Sequence, residues 1–191
     1  ESSRSKLPGI TILKAMECEW VPEFRNFYQD ELLGKRQFQY LVGAVHWIPA
    51  GKDWKPIKNL TPKMLIYYAD HTIELMESGL FAFVAHPDMF VIGYPRWDDN
   101  SASCSADILR AAEELKIPLE INGYGFRKSP QLYPWLPFWE LASEFDIRVI
   151  CNSDAHSPED VFASIDRCED IAARYELAVT ELEIESEPVA R

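Results

Sequence analysis

Two hydrophobic patterns alternate along the chain. Short segments rich in β-branched and aromatic residues predict strands, and the segments between them have the apolar period of helices. The predicted strands are 10–18, 40–48, 81–85, 119–121 and 148–151, and the predicted helices are 23–33, 62–78, 103–116, 138–144 and 158–175. This alternation is typical of a parallel sheet whose strands are connected by helices.

Capping residues define several of the predicted helix ends. Thr61, followed by a proline, predicts the start of the second helix. Either Ser103 or Ser105 is expected to cap the third helix. Gly34 is expected to end the first helix, because glycine often lies just past a helix end. The acidic segment 181–187 is expected either to add a last edge strand or to fray.

The number of predicted elements limits the fold. The chain has 191 residues and about five strand–helix units, whereas a closed eight-unit barrel takes roughly 250 residues. We therefore expect a single α/β domain over residues 1–191, either a smaller barrel or an incomplete one.

Polar residues able to bind a metal or a substrate stand where the predicted strands end. These residues are Glu17, His46, His86, Asn122, Asp154 and His156. Because the C-terminal ends of barrel strands gather around one cavity, we expect these side chains to converge. Three of the four histidines in the chain fall at these positions. Metal binding explains this coincidence more easily than three unrelated core histidines do.

The types of these side chains predict the type of metal. Imidazole and carboxylate together favour zinc, manganese or iron, since magnesium and calcium prefer oxygen ligands. Asp154 and His156 would point to the same face of an extended chain. At the first strand end, the register leaves Glu17 and Glu19 as candidates, and we favour Glu17. A carboxylate shared by closely spaced metals would help to activate a water molecule and to clamp a phosphate.

Two cations stand in the loop after the fourth predicted strand. Arg127 and Lys128 would lie at the face of the predicted site and could bind a phosphate or another anionic group. A solvated pair of loop residues is the alternative. Arg96 is a weaker candidate of the same kind, and His71 is expected to be a surface or helix-packing residue.

Composition narrows the class of partner. The net charge is −12, with 31 acidic and 19 basic residues, and this argues against a surface that binds nucleic acid through its phosphates. The four cysteines are scattered without a CxxC pair, which predicts reduced thiols in a cytoplasmic protein. No apolar stretch reaches the roughly 18 residues that a membrane span needs.

Ordered sequence blocks carry these candidate residues. The blocks are Ala15-Met16-Glu17-Cys18-Glu19-Trp20, Gly43-Ala44-Val45-His46-Trp47, Ala85-His86-Pro87-Asp88, Leu119-Glu120-Ile121-Asn122, Phe126-Arg127-Lys128 and Asn152-Ser153-Asp154-Ala155-His156. Together they resemble the polymerase-and-histidinol-phosphatase (PHP) superfamily, and its histidinol-phosphatase branch in particular. The resemblance covers about residues 10–161, and the Ser-Asp-Ala-His block is the most specific part of it.

The resemblance implies a fold, an activity and a set of site residues. The implied fold is a distorted (β/α)7 TIM-like barrel of the PHP type. The implied activity is phosphomonoester hydrolysis through a metal-bound hydroxide, with L-histidinol phosphate of histidine biosynthesis as the expected substrate. Two or three zinc, manganese or iron ions would be bound by Glu17, His46, His86, Asp154 and His156, with Glu17 bridging two metals. The expected catalytic residues are Asp154, His156 and Glu17, and the expected substrate-binding residues are Arg127, Asn122 and Lys128.

The resemblance is incomplete at its N-terminal side. The first strand of the family carries a His-x-His pair, whereas the first histidine here is His46. We expect either that the N-terminal strand or strands of the barrel precede this chain, or that the chain is a degenerate member with one or two metals. A PHP-type nuclease, which the acidic charge disfavours, and a non-catalytic domain are the remaining alternatives. We expect a cytoplasmic enzyme with a small phosphorylated substrate and no nucleic-acid or membrane partner, and a homo-oligomer remains open.

Overall fold

A parallel sheet forms the centre of the computed structural model, which describes residues 12–182. The strands in this range are β1 (Ala15–Glu19), β2 (Tyr40–Ala44), β3 (Trp47–Ala50), β4 (Asp53–Pro56), β5 (Phe83–Val84), β6 (Leu119–Asn122), β7 (Arg148–Asn152) and β8 (Ala178–Val179). Six of them form the parallel sheet in the order β1-β2-β5-β6-β7-β8. The other two, β3 and β4, form an antiparallel hairpin.

The strand order is that of a singly wound fold. Apart from the inserted hairpin, neighbours in the sheet are also consecutive along the chain. A doubly wound sheet would reverse its direction at a switch point, whereas a β/α barrel advances by one strand at a time. The predicted α/β class with a parallel sheet is confirmed. Within residues 12–182, β1 and β8 each have one partner, so the described part of the chain forms an open sheet.

Helices connect the strands, as the alternation predicts. The α-helices of the described range are α1 (Pro62–Glu77), α2 (Asp99–Leu115), α3 (Leu136–Ala142) and α4 (Ile165–Arg174). The start of α1 is confirmed: Thr61 Oγ1 accepts the N–H of Met64 at 3.4 Å, and a proline occupies the first turn. Among residues 12–182, no helix has the length and apolar character to cross a membrane.

The predicted cap of α2 is wrong. The helix begins one turn earlier than expected, because Asp98 Oδ1 accepts the N–H groups of Asn100 and Ser101 at 3.0 and 3.2 Å. Ser101 Oγ in turn accepts the N–H of Asp98 at 2.8 Å, which completes a capping box. Ser105 therefore lies inside the helix, where its hydroxyl donates to the carbonyl of Ser101.

The predicted strand 40–48 is two strands with a bend between them. β2 ends at Ala44, and the chain then turns into the hairpin that starts at Trp47. At the bend, the backbone N–H groups of His46 and Trp47 donate to the Glu19 carboxylate at 2.8 and 3.0 Å. A side chain thus satisfies donors that a continuing strand would have paired, and the unbroken apolar run of the sequence conceals the break.

Two predicted helices have different limits. Prediction placed one helix over 158–175, but a 3-10 turn at Pro158–Asp160 is separated from α4 by left-handed residues, Phe162 with φ 66° and Ser164 with φ 64°. The first predicted helix, 23–33, starts as a 3-10 turn at Pro22 and continues through a π-helical segment, Phe27–Lys35. Gly34 lies inside this segment and does not end it.

Buried apolar side chains lie on both faces of the sheet. The larger core lies between the sheet and the helices, and a smaller cluster on the other face contains Val42, Ala44, Phe83, Ala85 and Ile150. Gly43 alternates with that cluster and faces α1. A Cβ at Gly43 would lie 2.5 Å from Leu75 Cδ2, so the close packing of α1 on β2 requires a glycine.

Candidate metal centre

Three predicted ligands converge at the C-terminal edge of the sheet. Glu17 lies on β1, and His46 and His86 lie two residues after the ends of β2 and β5. Glu17 Oε1 lies 3.9 Å from His46 Nε2 and 3.7 Å from His86 Nε2, and the two imidazole rings are 4.9 Å apart between centroids. Among residues 12–182, this is the group of metal-competent side chains whose ligand atoms all lie within 4.8 Å of one another.

The separations in this group fit a transition metal. They exceed the usual hydrogen-bond range of about 2.7–3.2 Å. Ligand atoms about 2.1 Å from one tetrahedral metal would lie roughly 3.4 Å apart, which is close to the separations found here. His86 Nδ1 is buried and has no hydrogen-bond partner within the described range. The nitrogen of this ring that would bind a metal is the other one, Nε2, which lies 3.7 Å from Glu17 Oε1.

A second carboxylate, Glu19, orients His46. Its Oε2 lies 2.9 Å from His46 Nδ1, while the backbone N–H of His46 also donates to the carboxylate. With Nδ1 held by a carboxylate, Nε2 is directed toward Glu17, as in the carboxylate–histidine–metal arrangement of many metal sites. The sequence left Glu17 and Glu19 as alternatives for one role. The structure places both at the site edge with different contacts.

Asp154 and His156 line the same cavity but lie outside the close group. His156 Nδ1 donates to the carbonyl of Asp154 at 3.0 Å, which leaves Nε2 available, and the ring stacks on Tyr124 at 4.4 Å. Asp154 Oδ2 accepts the Asn122 amide at 3.1 Å. The structure therefore gathers three of the five predicted ligands, while the other two line the same cavity.

The cavity at this edge has a volume of about 640 Å³ and mixed walls. Its lining combines the candidate ligands with apolar side chains, which include Met89, Ile92 and Leu132. Lys128 also lines the cavity, with its ammonium 3.7 Å from the centre of the Tyr124 ring. A small anion with an organic part matches these walls in size and polarity.

The other two predicted substrate-binding residues are placed differently. Arg127 is not among the residues that line the cavity, and its NH groups donate to the carbonyls of Gly123, Ser153, Asp154 and Ala163 at 2.8 to 3.3 Å. Asn122 is 1% exposed, and its amide contacts protein groups only among the described residues. Arg96 lies over the Tyr94 ring, and His71 is buried with Nε2 3.0 Å from the carbonyl of Trp20.

Electrostatics favour a cation at the converging group. Burial raises the pKa of the Glu17 carboxyl. The neighbouring histidines, His86 first, lower this pKa by more than burial raises it, so it lies below its ordinary value. Burial alone would lower the pKa of His86, but the surrounding carboxylates, Glu17 first among them, raise it to about 9. The site thus stabilises positive charge, which a divalent metal would supply in place of the proton.

Two buried acids near the site are not singled out by the sequence pattern. Glu120 is 4% exposed and Asp88 is fully buried. Burial raises the pKa of Glu120 above its ordinary value, and it raises the pKa of Asp88 to about 6. An acidic residue inside an otherwise apolar strand, as Glu120 is in β6, is the one sequence signal that could have identified it.

Solved structures of two other proteins share the fold of this chain. The sequence matches no protein family and no curated protein. The candidate histidinol phosphatase hisK of Listeria monocytogenes superposes with a TM-score of 0.62 at 17% identity, over 79% of this chain and 66% of that one. Histidinol phosphate phosphatase from Lactococcus lactis, complexed with zinc, L-histidinol and phosphate, gives 0.64 at 13% identity, over 93% and 71%. The chain thus spans roughly two thirds of their length, and the likeness shows a shared fold.

Proposed function

We propose that this chain is a metal-dependent phosphomonoester hydrolase that acts on a small substrate, with L-histidinol phosphate as the first candidate. The observation that carries the proposal is the convergence of Glu17, His46 and His86 at the C-terminal edge of a parallel sheet. In β/α folds this edge holds the reacting groups. The two similar structures are described as histidinol phosphatases, one of them with zinc, L-histidinol and phosphate bound, and this supports the proposal.

The ligand roles follow from placement. Glu17, His46 and His86 would hold one transition metal. Asp154 and the Nε2 atom of His156, which line the same cavity, would hold a second metal. The chemistry supplied by an ion held there would be polarisation of a phosphoryl oxygen and activation of a water molecule as the nucleophile. The number of metals and the choice among zinc, manganese and iron belong to the proposal.

Two groups of cavity-lining side chains would bind different parts of the substrate. The positively charged ammonium group of Lys128 would bind the phosphate, and its cation–π contact with the Tyr124 ring holds it at the cavity. The apolar side chains of Met89, Ile92 and Leu132 would receive the organic part of the substrate and exclude water. Arg127, which the resemblance gave as a phosphate ligand, would act instead through the backbone it binds.

Phosphate release tests the proposal. The chelator-treated protein would be supplied with zinc, manganese or cobalt and assayed against L-histidinol phosphate, other small phosphomonoesters and single-stranded DNA. We expect metal-dependent phosphate release that falls by at least about 100-fold in Glu17→Gln, as for loss of a metal ligand. Glu23→Gln is the matched control, because Glu23 is an exposed acid of the 3-10 turn after β1.

The remaining outcomes separate the alternatives. Tight metal binding without release from any phosphomonoester would favour a non-catalytic domain. Cleavage of DNA in preference to the small esters would favour a nuclease. Equal activity in Glu17→Gln and Glu23→Gln would contradict the assignment of the site.

A further inference from the structure

Two of the proposed ligand residues have backbones that side chains rarely tolerate. His86 has φ 31° and Asp154 has φ 48°, both in the left-handed region. Residues other than glycine adopt this region at a cost and keep it only when surrounding groups hold them there. Any group that holds these two backbones also fixes the direction of the side chains that would bind metal.

Glu120 holds the first of these residues. Its Oε2 accepts the backbone N–H of His86 at 3.0 Å and the amide of Asn122 at 2.8 Å. Its Oε1 accepts the amide of Asn152 at 3.0 Å. Because β6 lies between β5 and β7 in the sheet, one buried carboxylate ties together the ends of three strands.

Asn122 extends this link to Asp154. Its Nδ2 donates to Glu120 Oε2 and to Asp154 Oδ2, at 2.8 and 3.1 Å. Its Oδ1 accepts the backbone N–H groups of Tyr124 and Gly125 at 2.9 and 3.2 Å. Both N–H donors and both acceptor positions of the Asn122 amide are used. If the amide were flipped, its oxygen would face two carboxylates and its NH2 group would face two backbone N–H groups, and none of these pairs can form a hydrogen bond. The orientation of Asn122 is therefore fixed.

Arg127 holds the backbone of the second left-handed residue. Its NH2 group donates to the carbonyls of Ser153 and Asp154 at 2.8 and 3.1 Å, and its Nε lies 3.3 Å from Asp160 Oδ1. The side chain of Asp154 is bound by Asn122 and its carbonyl by Arg127. Both ends of the residue are thus fixed from within the protein.

We propose that Glu120, Asn122 and Arg127 form a clamp that positions His86 and Asp154 for metal binding. The inference rests on the proposed metal site, and it assigns to Asn122 and Arg127 a positioning role in place of substrate contact. The clamp holds the two ligand residues in place without lining the cavity itself. Outer partners of metal ligands typically contribute about 10- to 100-fold to metal affinity.

Cobalt titration of the full chain, followed by its visible absorption, tests the clamp. Glu120→Met replaces the carboxylate, and with it both acceptor oxygens, by a side chain of similar volume. Asn122→Ala removes the amide that links Glu120 to Asp154. Each is expected to raise the Kd for Co²⁺ by about 10- to 100-fold. In Glu120→Gln, the amide oxygen can still accept the N–H of His86. The new NH2 group can donate to the oxygen of Asn152 once the Asn152 amide has flipped. This variant is therefore expected to keep most of the wild-type affinity for Co²⁺.

The matched control loses a hydrogen bond to the same carboxylate. Asn152→Ala frees Glu120 Oε1, which contacts neither ligand residue, and it is expected to lower thermal stability while the Kd stays within about threefold of wild type. Folding of every variant is checked by near-ultraviolet circular dichroism. Folded Glu120→Met and Asn122→Ala proteins with wild-type Kd values would overturn the clamp.

A second readout needs no metal. In the metal-free protein the His86 amide hydrogen is expected to exchange at least about tenfold faster in Glu120→Met than in wild type, and at the wild-type rate in Asn152→Ala. An unchanged exchange rate in Glu120→Met would overturn the clamp. Absence of Co²⁺ binding in the wild-type chain, with the exchange difference present, would instead refute the proposed function and leave the backbone clamp standing.

Discussion

Replacing Asp88 changes both the stability of the protein and its dependence on pH. Asp88 Oδ2 accepts the backbone N–H of Trp135 at 2.6 Å and the indole N–H of Trp139 at 3.0 Å. Asp88 and Trp139 are both fully buried. Asp88→Ala removes the acceptor of the buried indole N–H of Trp139 and of the partly buried N–H of Trp135, and each such loss costs about 1–3 kcal/mol. We therefore expect the free energy of unfolding to fall by about 2–6 kcal/mol.

Asp88→Asn separates the charge from the hydrogen bonds. The amide oxygen can still accept both donors, but the buried charge is removed. Burial raises the pKa of Asp88 from 3.8 to about 6, so the folded state binds this proton more tightly than the unfolded state does. The wild-type protein therefore loses stability as the pH rises from about 4 to 6. At about 1.4 kcal/mol per pKa unit, the free energy of unfolding falls by roughly 3 kcal/mol because of this group.

Denaturant unfolding at several pH values measures this difference. Tryptophan fluorescence of wild type, Asp88→Asn and Asp88→Ala would be followed from pH 4.5 to 8. The stability of Asp88→Asn relative to wild type should increase with pH by a few kcal/mol and level off above about pH 7. Asp107→Asn is the control, since Asp107 pairs with Arg110 at the surface. Parallel curves for Asp88→Asn and wild type would refute the reasoning.

Three further substitutions test separate parts of the structure. Glu19→Gln should weaken Co²⁺ binding by about 10- to 100-fold, because Glu19 orients His46, and a titration that matches wild type would contradict this. Gly43→Ala should lower the free energy of unfolding by about 1–3 kcal/mol in urea denaturation, because its Cβ would meet Leu75, and an unchanged midpoint would show that α1 can yield. Lys128→Met should lower kcat/KM for phosphomonoesters by about 10- to 100-fold while metal content stays unchanged, and wild-type kinetics would remove Lys128 from the phosphate site.

The hydrophobic pattern was sufficient for the fold class because each parallel strand is short, apolar and followed by a helix. Prediction failed where side chains replace backbone partners. The capping by Asp98 starts α2 a turn early, and the Glu19 carboxylate lets the chain bend after β2. Neither interaction changes the apolar period, so the pattern alone could not reveal them.

The candidate site was predictable to a similar extent. Parallel strands bring their C-terminal ends to one edge, and this rule correctly brings Glu17, His46 and His86 together. The rule gives position along a strand but not the partner of each side chain. Asn122 ends β6 and Arg127 lies in the loop after it, as expected for substrate contacts, yet both donate hydrogen bonds to carbonyls or carboxylates of the protein. Only three-dimensional contacts distinguish these uses.

Anomalous X-ray diffraction from crystals grown with zinc or manganese tests the metal centre most directly. We predict an anomalous peak at the edge of the parallel sheet, within about 2.3 Å of Glu17 Oε1, His46 Nε2 and His86 Nε2, bond lengths usual for such ligands. Crystals of Glu17→Gln grown in the same way should lack this peak or show it much weakened. A wild-type crystal with no peak among these three side chains, or with the metal bound elsewhere, would contradict the account.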